Sequence, residues 1–229
     1  MQIHNSNSIA SRLISQESSY KDSLDWPNIY GSFKTIIRQI IGIIISRKPN
    51  NKFHTKYLNI GCGAIYIPKW TNADFYRFRK IQLDWMLDMG KKWNCDSNYW
   101  DGIFSEHAVE HITYSSCITC FKESFRTLKK GGILRLSIPN INLYIDHFSG
   151  KRTVHKEFDQ FKSNAEAFTF VTQNFGHKSV WEPQLLIDLL YEIGFKDVKE
   201  SSFGNSSNKD LCIEQEYKKW ETMYVEAIK

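Results

Sequence analysis

The chain has 229 residues, of which 41% are hydrophobic, 14% aromatic and 24% charged, and its net charge is +5. This composition excludes a disordered, collagenous or coiled-coil protein, and the length suits one globular domain with additions. All apolar runs are shorter than the about 18–20 residues of a membrane span, and five cysteines favour a reducing compartment over a disulfide framework. Because the N-terminus also lacks the plan of a signal peptide, we expect a cytoplasmic protein.

The positive charge belongs to the beginning of the chain. Residues 1–56 carry eight Lys or Arg against three Asp or Glu, which accounts for the whole net charge. The remainder is balanced, which argues against a nucleic-acid-binding surface, so no nucleic acid is expected as a partner. Residues 1–30 are rich in Ser and Asn and are expected to form a mobile or loosely docked arm. We therefore divide the chain into an N-terminal extension, 1–50, and a domain, 51–229.

Within the extension, apolar residues recur with helical spacing between Phe33 and Ser46 and predict an amphipathic helix that ends before Pro49. So many β-branched isoleucines make a poor helix in isolation, so the apolar face must be covered. Two interpretations are open. The helix packs on the domain as a lid, or residues 33–48 make a peripheral contact with the inner face of a membrane, where their basic residues meet anionic headgroups.

Strands and helices alternate after residue 55. The predicted strands are Lys56–Ile60, Thr71–Phe75, Ile81–Leu87, Trp100–Ser105, Ile133–Ile138, Asp197–Phe203 and Glu221–Ile228. One helix is predicted from His107 to about Lys129, with a turn at residues 130–132, and another from Pro183 to Gly194; the stretch up to Trp181 is less regular. The alternation predicts an α/β sheet, mainly parallel, with ligands at the carboxyl ends of its strands.

Polar residues and glycines stand where four predicted strands end. They are Gly61 and Gly63 after the first strand, Asp74 after the second, Asp88 after the third, and Ser105, Glu106 and His107 after the fourth. Glycines allow a ligand to approach the backbone closely, and a carboxylate one strand away can accept two hydrogen bonds from a ribose diol. A turn or helix-capping role is the alternative for either aspartate taken alone. Their coincidence at one sheet edge predicts a nucleotide-type site.

Four motifs together resemble the class I S-adenosylmethionine-dependent methyltransferases, most closely a small bacterial branch found beside surface-glycan enzymes. The motifs are Leu58-Asn59-Ile60-Gly61-Cys62-Gly63, Trp70-x-Asn72-x-Asp74, Asp101-x-Ile103-x-Ser105-x-His107-x-x-Glu110-His111 and Leu128-x-x-Gly131-Gly132-x-Leu134 with Pro139 beyond it. The resemblance covers roughly residues 56–229. It implies a Rossmann-like seven-stranded sheet, mostly parallel with an antiparallel last strand, and helices on both faces.

The resemblance also implies the cofactor S-adenosyl-L-methionine and methyl transfer to a small-molecule or glycan acceptor, at a hydroxyl oxygen. The alternative is a non-catalytic binding or scaffold subunit with the same fold. The implied cofactor contacts are Gly61, Cys62 and Gly63 at the methionine part, Asp74 with Phe75 at the ribose, Asp88 with Met89 at the adenine, and Ser105 with Glu106 on the sulfonium side.

Two departures concern the first strand and its turn. Asn59 stands where the wider superfamily often has an acid, and Ile65 where it has a third glycine. The interval from Gly63 to Asp74 is too short for the usual first helix. A missing helix argues against NAD, whose pyrophosphate relies on a helix N-terminus. A positive sulfonium, by contrast, suits an acidic rim.

His107 and His177 are the candidate general bases for a hydroxyl acceptor. The segment from His107 to His111 also spells the H-x-x-E-H of inverted zinc proteases. Because it follows a strand in an α/β pattern, packing and capping are the preferred roles for Glu110 and His111, and no metal site is predicted.

Three further residues are assigned mainly to the core. Cys117 and Cys120 form a C-x-x-C without a second pair and lie within a predicted helix, so we expect core thiols. Trp181 is expected in the core, with the floor of a sugar or planar acceptor site as its alternative.

Overall fold

The computed structural model describes residues 8–18, 55–75, 83–151 and 155–229. The predicted amphipathic helix at 33–46 lies outside these ranges, as does the beginning of the predicted third strand. Among the described residues, none of the helices combines the length and apolar character needed to cross a membrane.

Seven strands and five α-helices make up the fold in these ranges. The strands are β1 (Tyr57–Ile60), β2 (Thr71–Asp74), β3 (Trp85–Met86), β4 (Trp100–Glu106), β5 (Leu128–Pro139), β6 (Lys196–Ser201) and β7 (Thr222–Ile228). The helices are α1 (Ile9–Ser18), α2 (Tyr114–Thr127), α3 (Ile141–Phe148), α4 (Asn164–Thr172) and α5 (Pro183–Ile193). Short 3₁₀ turns occur between them, among them Val109–His111, Asn174–Gly176, Lys209–Leu211 and Glu216–Lys218.

The strands form a single sheet in the order β3-β2-β1-β4-β5-β7-β6. All neighbouring pairs from β3 to β5 are parallel, and β7 runs antiparallel to both β5 and β6. The expected Rossmann-like sheet, mostly parallel with an antiparallel last strand, is therefore confirmed. The carboxyl ends of β1, β2, β4 and β5 meet at one edge, where an open α/β sheet places its ligand.

One face of the sheet carries the main apolar core. Leu58, Ile103 and Leu134 are completely buried there, against side chains of α2 and α5 such as Phe121 and Leu186. The other face is smaller and more polar. It buries Phe104 and Leu211 beside Arg135 and Glu226. Alternating side-chain direction along each strand separates the two sets.

Part of the N-terminal extension is docked on the domain. Leu13 of α1 is buried in the main core, and the N–H of Ile9 donates to Glu192 Oε2 of α5 at 2.7 Å. The carboxylate of Glu192 thereby binds the amino end of α1, where helix N–H groups lack intrahelical acceptors. Residues 9–18 are thus a folded helix within the arm predicted from residues 1–30.

The predicted helix start at His107 is wrong. His107 has a left-handed backbone (φ 46°), and its N–H continues the sheet pairing by donating to Ser137 O at 2.8 Å. The chain then makes the 3₁₀ turn Val109–His111, and α2 begins only after Thr113, whose hydroxyl accepts from Ser116 N. Because His107 is hydrogen-bonded to the neighbouring strand, it does not take helical dihedrals, and the helix begins several residues later.

Two other predictions from the sequence are corrected by the structure. Residues 130–132 do not stop a helix, because α2 ends at Thr127 and these residues belong to the long strand β5. The stretch between β5 and Trp181 contains α3 and α4, whose side chains form a separate apolar cluster around Tyr144 and Phe158 with Trp220 packed against it. The predicted end of α5 at Gly194 is confirmed, with Gly194 left-handed at φ 117°.

Candidate functional site

The turn after β1 contains two left-handed glycines with different surroundings. Gly61 (φ 66°) packs on Ala108, and a Cβ at Gly61 would lie 2.2 Å from the Ala108 Cβ and 3.2 Å from the Met89 methyl carbon. Gly63 (φ 53°) has nothing within 4 Å of the same position. Both dihedrals favour glycine. Close packing therefore accounts for Gly61, whereas Gly63 faces open space.

Asp74, at the end of β2, holds this glycine turn. Its Oδ2 accepts from the N–H of Gly63 at 2.7 Å, and its Oδ1 accepts from the N–H of Phe75 at 2.6 Å. Hydrogen bonds to a carboxylate are stronger than neutral ones. The structure thus brings the glycine turn and the acidic end of the neighbouring strand into direct contact, as their positions at parallel strand ends predicted.

A buried polar network takes the place of a helix between β1 and β2. Residues 61–70 are all described and contain no helix. The Asn72 side chain, fully buried, accepts from Ile67 N at 2.9 Å and donates to Asp84 Oδ2 at 3.0 Å. Asn59 Nδ2 donates to Asn72 Oδ1 at 3.2 Å. An amide at position 59 suits an amide partner, which explains the departure from an acid there.

The glycine turn opens onto a cavity of about 180 Å³, here called the glycine cavity. Its lining residues are Asn59, Gly61, Cys62, Gly63, Ala64, Ile65, Ile67, Phe104, Glu106, His107, Ile213, Tyr217 and Lys218. Five residues predicted from the sequence are among them: Gly61, Cys62, Gly63, Glu106 and His107. Four of these five were expected at the cofactor, and His107 was expected as a base.

The other predicted cofactor residues are not part of this lining. Asp74 and Phe75 stand behind the glycine turn, and Met89 packs beside Gly61. Asp88 accepts from Gly90 N at 3.1 Å and pairs with Lys91 Nζ at 3.0 Å. Ser105 is only 2% exposed, and no partner for its hydroxyl is found among the described residues.

Glu106 ties the loop before β7 to the end of β4. Its Oε1 accepts from Gln215 N at 2.8 Å, and its Oε2 lies 3.8 Å from Lys218 Nζ. Burial is the largest influence on this carboxyl and raises its pKa, against the opposing effects of the Gln215 N–H and Lys218. The loop carrying Tyr217 and Lys218 therefore closes one side of the glycine cavity.

His107 lies between the glycine cavity and a second cavity. Thr222 Oγ1 donates to Lys218 O at 2.6 Å, so it accepts from His107 Nε2 at 2.7 Å. This assignment leaves His107 Nδ1 with a lone pair, 3.5 Å from Glu110 Oε1. Burial, with a smaller contribution from Lys218, lowers the pKa of His107 to about 3.

The second cavity measures about 460 Å³ and is here called the aromatic cavity. It is lined by His107, Glu110, His111, Phe170, Phe175, His177, Tyr217, Lys218, Trp220 and Glu221. His177, predicted from the sequence, is part of it. Trp181 is not: it is 1% exposed, donates from Nε1 to Ser179 Oγ and packs in the core. The core assignment of Trp181 is thus confirmed and its alternative is wrong.

The segment after α4 is held on the 3₁₀ turn at Glu110. The backbone carbonyl of Glu110 accepts from Lys178 N at 2.7 Å and Ser179 N at 3.1 Å, and His177 Nδ1 donates to Val171 O at 2.8 Å. Just before His177, Phe175 has a left-handed backbone (φ 60°) and is 73% exposed. A bulky residue in that conformation is strained, and such strain concentrates at functional sites.

Several of these residues carried no usable signal in the sequence. Asn72 occurs in a quoted motif, but nothing there indicates its partners. Thr222, Tyr217 and Trp220 lie near the start of the last strand in a polar stretch without periodicity. Cys117 and Cys120 are buried in α2, as expected.

No family model matches the chain, and no curated protein matches it. Among solved structures, the chain is similar to a SAM-dependent methyltransferase from Archaeoglobus fulgidus, with 17% identity, TM-score 0.47, and coverage of 88% of this chain and 100% of that one. It is also similar to a SAM-dependent methyltransferase, possible histamine N-methyltransferase, from Thermotoga maritima, with 13% identity, TM-score 0.49 and coverage of 96% and 98%. Likeness at this level decides nothing about the reaction.

Proposed function

We propose that this chain transfers a methyl group from S-adenosyl-L-methionine to a hydroxyl oxygen of a small-molecule or glycan acceptor. The observation that carries the proposal is the strand order, with β7 inserted antiparallel between β5 and β6, above a glycine turn held by Asp74. The sequence resemblance implies the antiparallel last strand, and it assigns the glycine turn and Asp74 to the cofactor. Because a fold alone does not determine a function, the shape and charge of the site must also fit the cofactor and the acceptor.

The glycine cavity suits this cofactor better than a dinucleotide. Gly63 leaves open space above its backbone, and no helix N-terminus is available between residues 61 and 70 to bind a pyrophosphate. Glu106 lines the cavity 3.8 Å from Lys218, so its carboxylate offsets the lysine charge in the lining and disfavours a pyrophosphate. S-adenosyl-L-methionine supplies a methyl group on a positively charged sulfur, already activated towards nucleophiles.

The two cavities divide the reactants between them. His107 lines both, so a cofactor in the glycine cavity and an acceptor in the aromatic cavity would meet beside it. Holding two reactants in line converts a bimolecular step into an effectively unimolecular one. We infer that this positioning supplies much of the rate.

The aromatic cavity supports an acceptor with a flat apolar face and a hydroxyl group. Phe170, Phe175 and Trp220 supply apolar surface, as small-molecule sites commonly do. His177 donates from Nδ1 to Val171 O, so its Nε2 carries the lone pair that can accept a proton from a hydroxyl. Both ring nitrogens of His107 face protein groups, so His177 is the stronger candidate base and His107 a positioning residue.

The test is to incubate the purified full chain with isotope-labelled S-adenosyl-L-methionine and a panel of nucleotide sugars and glycans, and to follow the label by mass spectrometry. We expect label on a hydroxyl oxygen of one acceptor. His177→Ala should lower turnover by about 10²–10⁴ while the affinity for S-adenosylhomocysteine stays near that of the unaltered protein. His155 lies just before the 3₁₀ turn Lys156–Gln160 and is in the lining of neither cavity, so His155→Ala is the matched control and should change neither quantity.

If the chain binds neither S-adenosyl-L-methionine nor S-adenosylhomocysteine, the proposal is contradicted. Cofactor binding without transfer to any acceptor would instead favour the scaffold alternative.

The lid and membrane interpretations of residues 33–48 are separate predictions from the sequence. Sedimentation of the full chain with anionic vesicles distinguishes them, because only a membrane contact predicts salt-sensitive binding that Arg38→Gln weakens.

A further inference from the structure

Glu110 is a buried carboxyl group in the wall of the aromatic cavity. The residue is 2% exposed, and neither side-chain oxygen has a hydrogen-bond partner among the residues that the structure describes. A buried carboxylate in that state is unfavourable unless a cation or a proton compensates it. Burial raises the pKa of Glu110 to about 8, and a cation bound from the aromatic cavity would compensate the carboxylate in place of that proton.

Three imidazole rings surround this carboxylate. His107 Nδ1 lies 3.5 Å and His111 Nε2 lies 3.9 Å from Glu110 Oε1. The rings of His111 and His177 contact each other edge to face, with centroids 4.9 Å apart. His107 and His177 each donate from their other nitrogen, to Thr222 and to Val171 O, so the nitrogens left over carry lone pairs. A cation bound by such lone pairs would also compensate the buried carboxylate.

We propose that Glu110, His111 and His177 bind a divalent transition-metal ion. One ligand atom from each residue lies within 4.8 Å of the other two. Two imidazoles and one carboxylate are a ligand set of zinc and non-haem iron(II) sites. Ligand atoms placed about 2.0–2.2 Å from one zinc ion lie ~3.4 Å apart, so the largest separation must shorten by no more than ~1.5 Å, within the range of small side-chain rotations.

The surroundings of the three ligands resemble the support that metal sites require. Val171 O accepts from His177 Nδ1, which fixes the tautomer and leaves Nε2 as the nitrogen of this ring that can bind a metal ion. The Glu110 carbonyl binds Lys178 N and Ser179 N, which holds the segment of His177 against the turn of Glu110 and His111. His107 faces the same carboxylate without belonging to the three-ligand cluster.

The position of the metal site in the aromatic cavity indicates a role in binding the acceptor, and this role rests on the proposed function. All three ligands line the aromatic cavity, and three protein ligands leave at least one coordination position open towards it. A metal ion there would bind the acceptor hydroxyl oxygen and lower its pKa. His177 would then act as a ligand instead of a base. Since His177→Ala lowers turnover in either case, the test depends on metal binding rather than on activity.

The experiment titrates Co²⁺ into the chelator-treated full chain and records the visible absorption of the ion together with the melting temperature. We expect one equivalent to bind, with the intense visible bands of a four- or five-coordinate ion, and Zn²⁺ to displace it. Glu110→Gln and His177→Ala should each weaken Co²⁺ binding by at least about 100-fold, since even outer residues of metal sites contribute about 10–100-fold. His155→Ala should bind as the unaltered protein does.

Glu110→Gln is close in shape and removes a buried charge, so the variant is expected to melt no lower than the metal-free protein. Binding of less than a stoichiometric amount of Co²⁺, or equal binding by Glu110→Gln and the unaltered chain, would overturn the metal site and leave Glu110 as a buried protonated acid. S-adenosylhomocysteine binding is measured on the same metal-free sample. If the protein binds S-adenosylhomocysteine but not Co²⁺, only the metal site is contradicted. If it binds Co²⁺ but not S-adenosylhomocysteine, only the proposed function is contradicted.

Discussion

The carboxylate of Asp74 accepts a hydrogen bond from the backbone N–H of Gly63 at 2.7 Å. The bond joins the ends of two parallel strands, since Asp74 closes β2 and Gly63 lies in the turn after β1. It orients the glycine turn at the sheet edge where Gly63 borders open space. The same carboxylate is the residue that the sequence resemblance assigns to the cofactor ribose, so its structural and proposed binding roles meet in one side chain.

Asp74→Ala is expected to weaken S-adenosylhomocysteine binding by about 1.5–3 kcal/mol, the usual contribution of hydrogen bonds to a charged group. Isothermal titration calorimetry measures the effect, and urea unfolding of the same variant reports the loss of the bond to Gly63. Asp101→Ala, at the start of β4 and far from that edge, is the control and should leave the affinity unchanged. Unaltered affinity in Asp74→Ala would remove this residue from the proposed cofactor site.

Gly61→Ala should destabilise the protein through a collision with Ala108. The new Cβ would lie 2.2 Å from the Ala108 Cβ, and overpacking of this kind costs about 1–3 kcal/mol beyond the ~1–2 kcal/mol of a left-handed backbone. Gly204→Ala has a similar φ of 65° with nothing within 4 Å and should show the backbone cost only. Urea unfolding gives both free energies.

A second substitution separates the two parts of the Gly61 effect. Ala108→Gly removes the colliding methyl group, so adding it to Gly61→Ala should recover the packing part of the loss. If the double variant is no more stable than Gly61→Ala, the collision is not the cause.

Arg135→Met is expected to lower the free energy of unfolding by about 3–5 kcal/mol, because it leaves two buried carboxylates without their cation. The Arg135 side chain is 0% exposed and pairs with Glu214 and with Glu226, the latter at 3.1 Å. Lys129→Met breaks an exposed pair with Asp101 and should cost no more than about 1 kcal/mol. Equal, small losses in both variants would show that the buried ion network contributes little.

Stability should fall in acid partly through Glu123. Burial of this carboxyl tends to raise its pKa, but hydrogen bonds from Arg126 and from the N–H of Trp93 outweigh burial and hold the pKa below its usual value. A carboxyl with a lower pKa in the folded state stabilises the protein above the unfolded pKa and loses that contribution as pH falls through the folded value.

Glu123→Gln should therefore flatten the dependence of the unfolding free energy on pH below about pH 5. Urea unfolding at a series of pH values measures the slope. Glu200→Gln, at an exposed carboxylate, is the control. An unchanged acid slope in Glu123→Gln would show that this pair does not contribute to the pH dependence.

Much of the fold follows from local patterns in the sequence. Hydrophobic runs bounded by Gly61, Asp74 and Pro139 are enough to place the strands within a few residues, since strand burial and its ends depend on neighbouring residues. The resemblance adds the reversed last strand. Glycines and acids at successive strand ends also suffice to predict one polar edge, because parallel strands bring their carboxyl ends together.

Only the tertiary structure decides the surroundings of Glu110. In the sequence, His107 and His111 share a helical face, whereas in the fold Ser137 of the next strand holds His107 out of any helix. His177 reaches Glu110 because backbone bonds fasten its segment to that turn, and Thr222 sets the His107 tautomer from the last strand. Local periodicity cannot predict such partners, because they are distant along the chain and are brought together only by packing of the whole sheet.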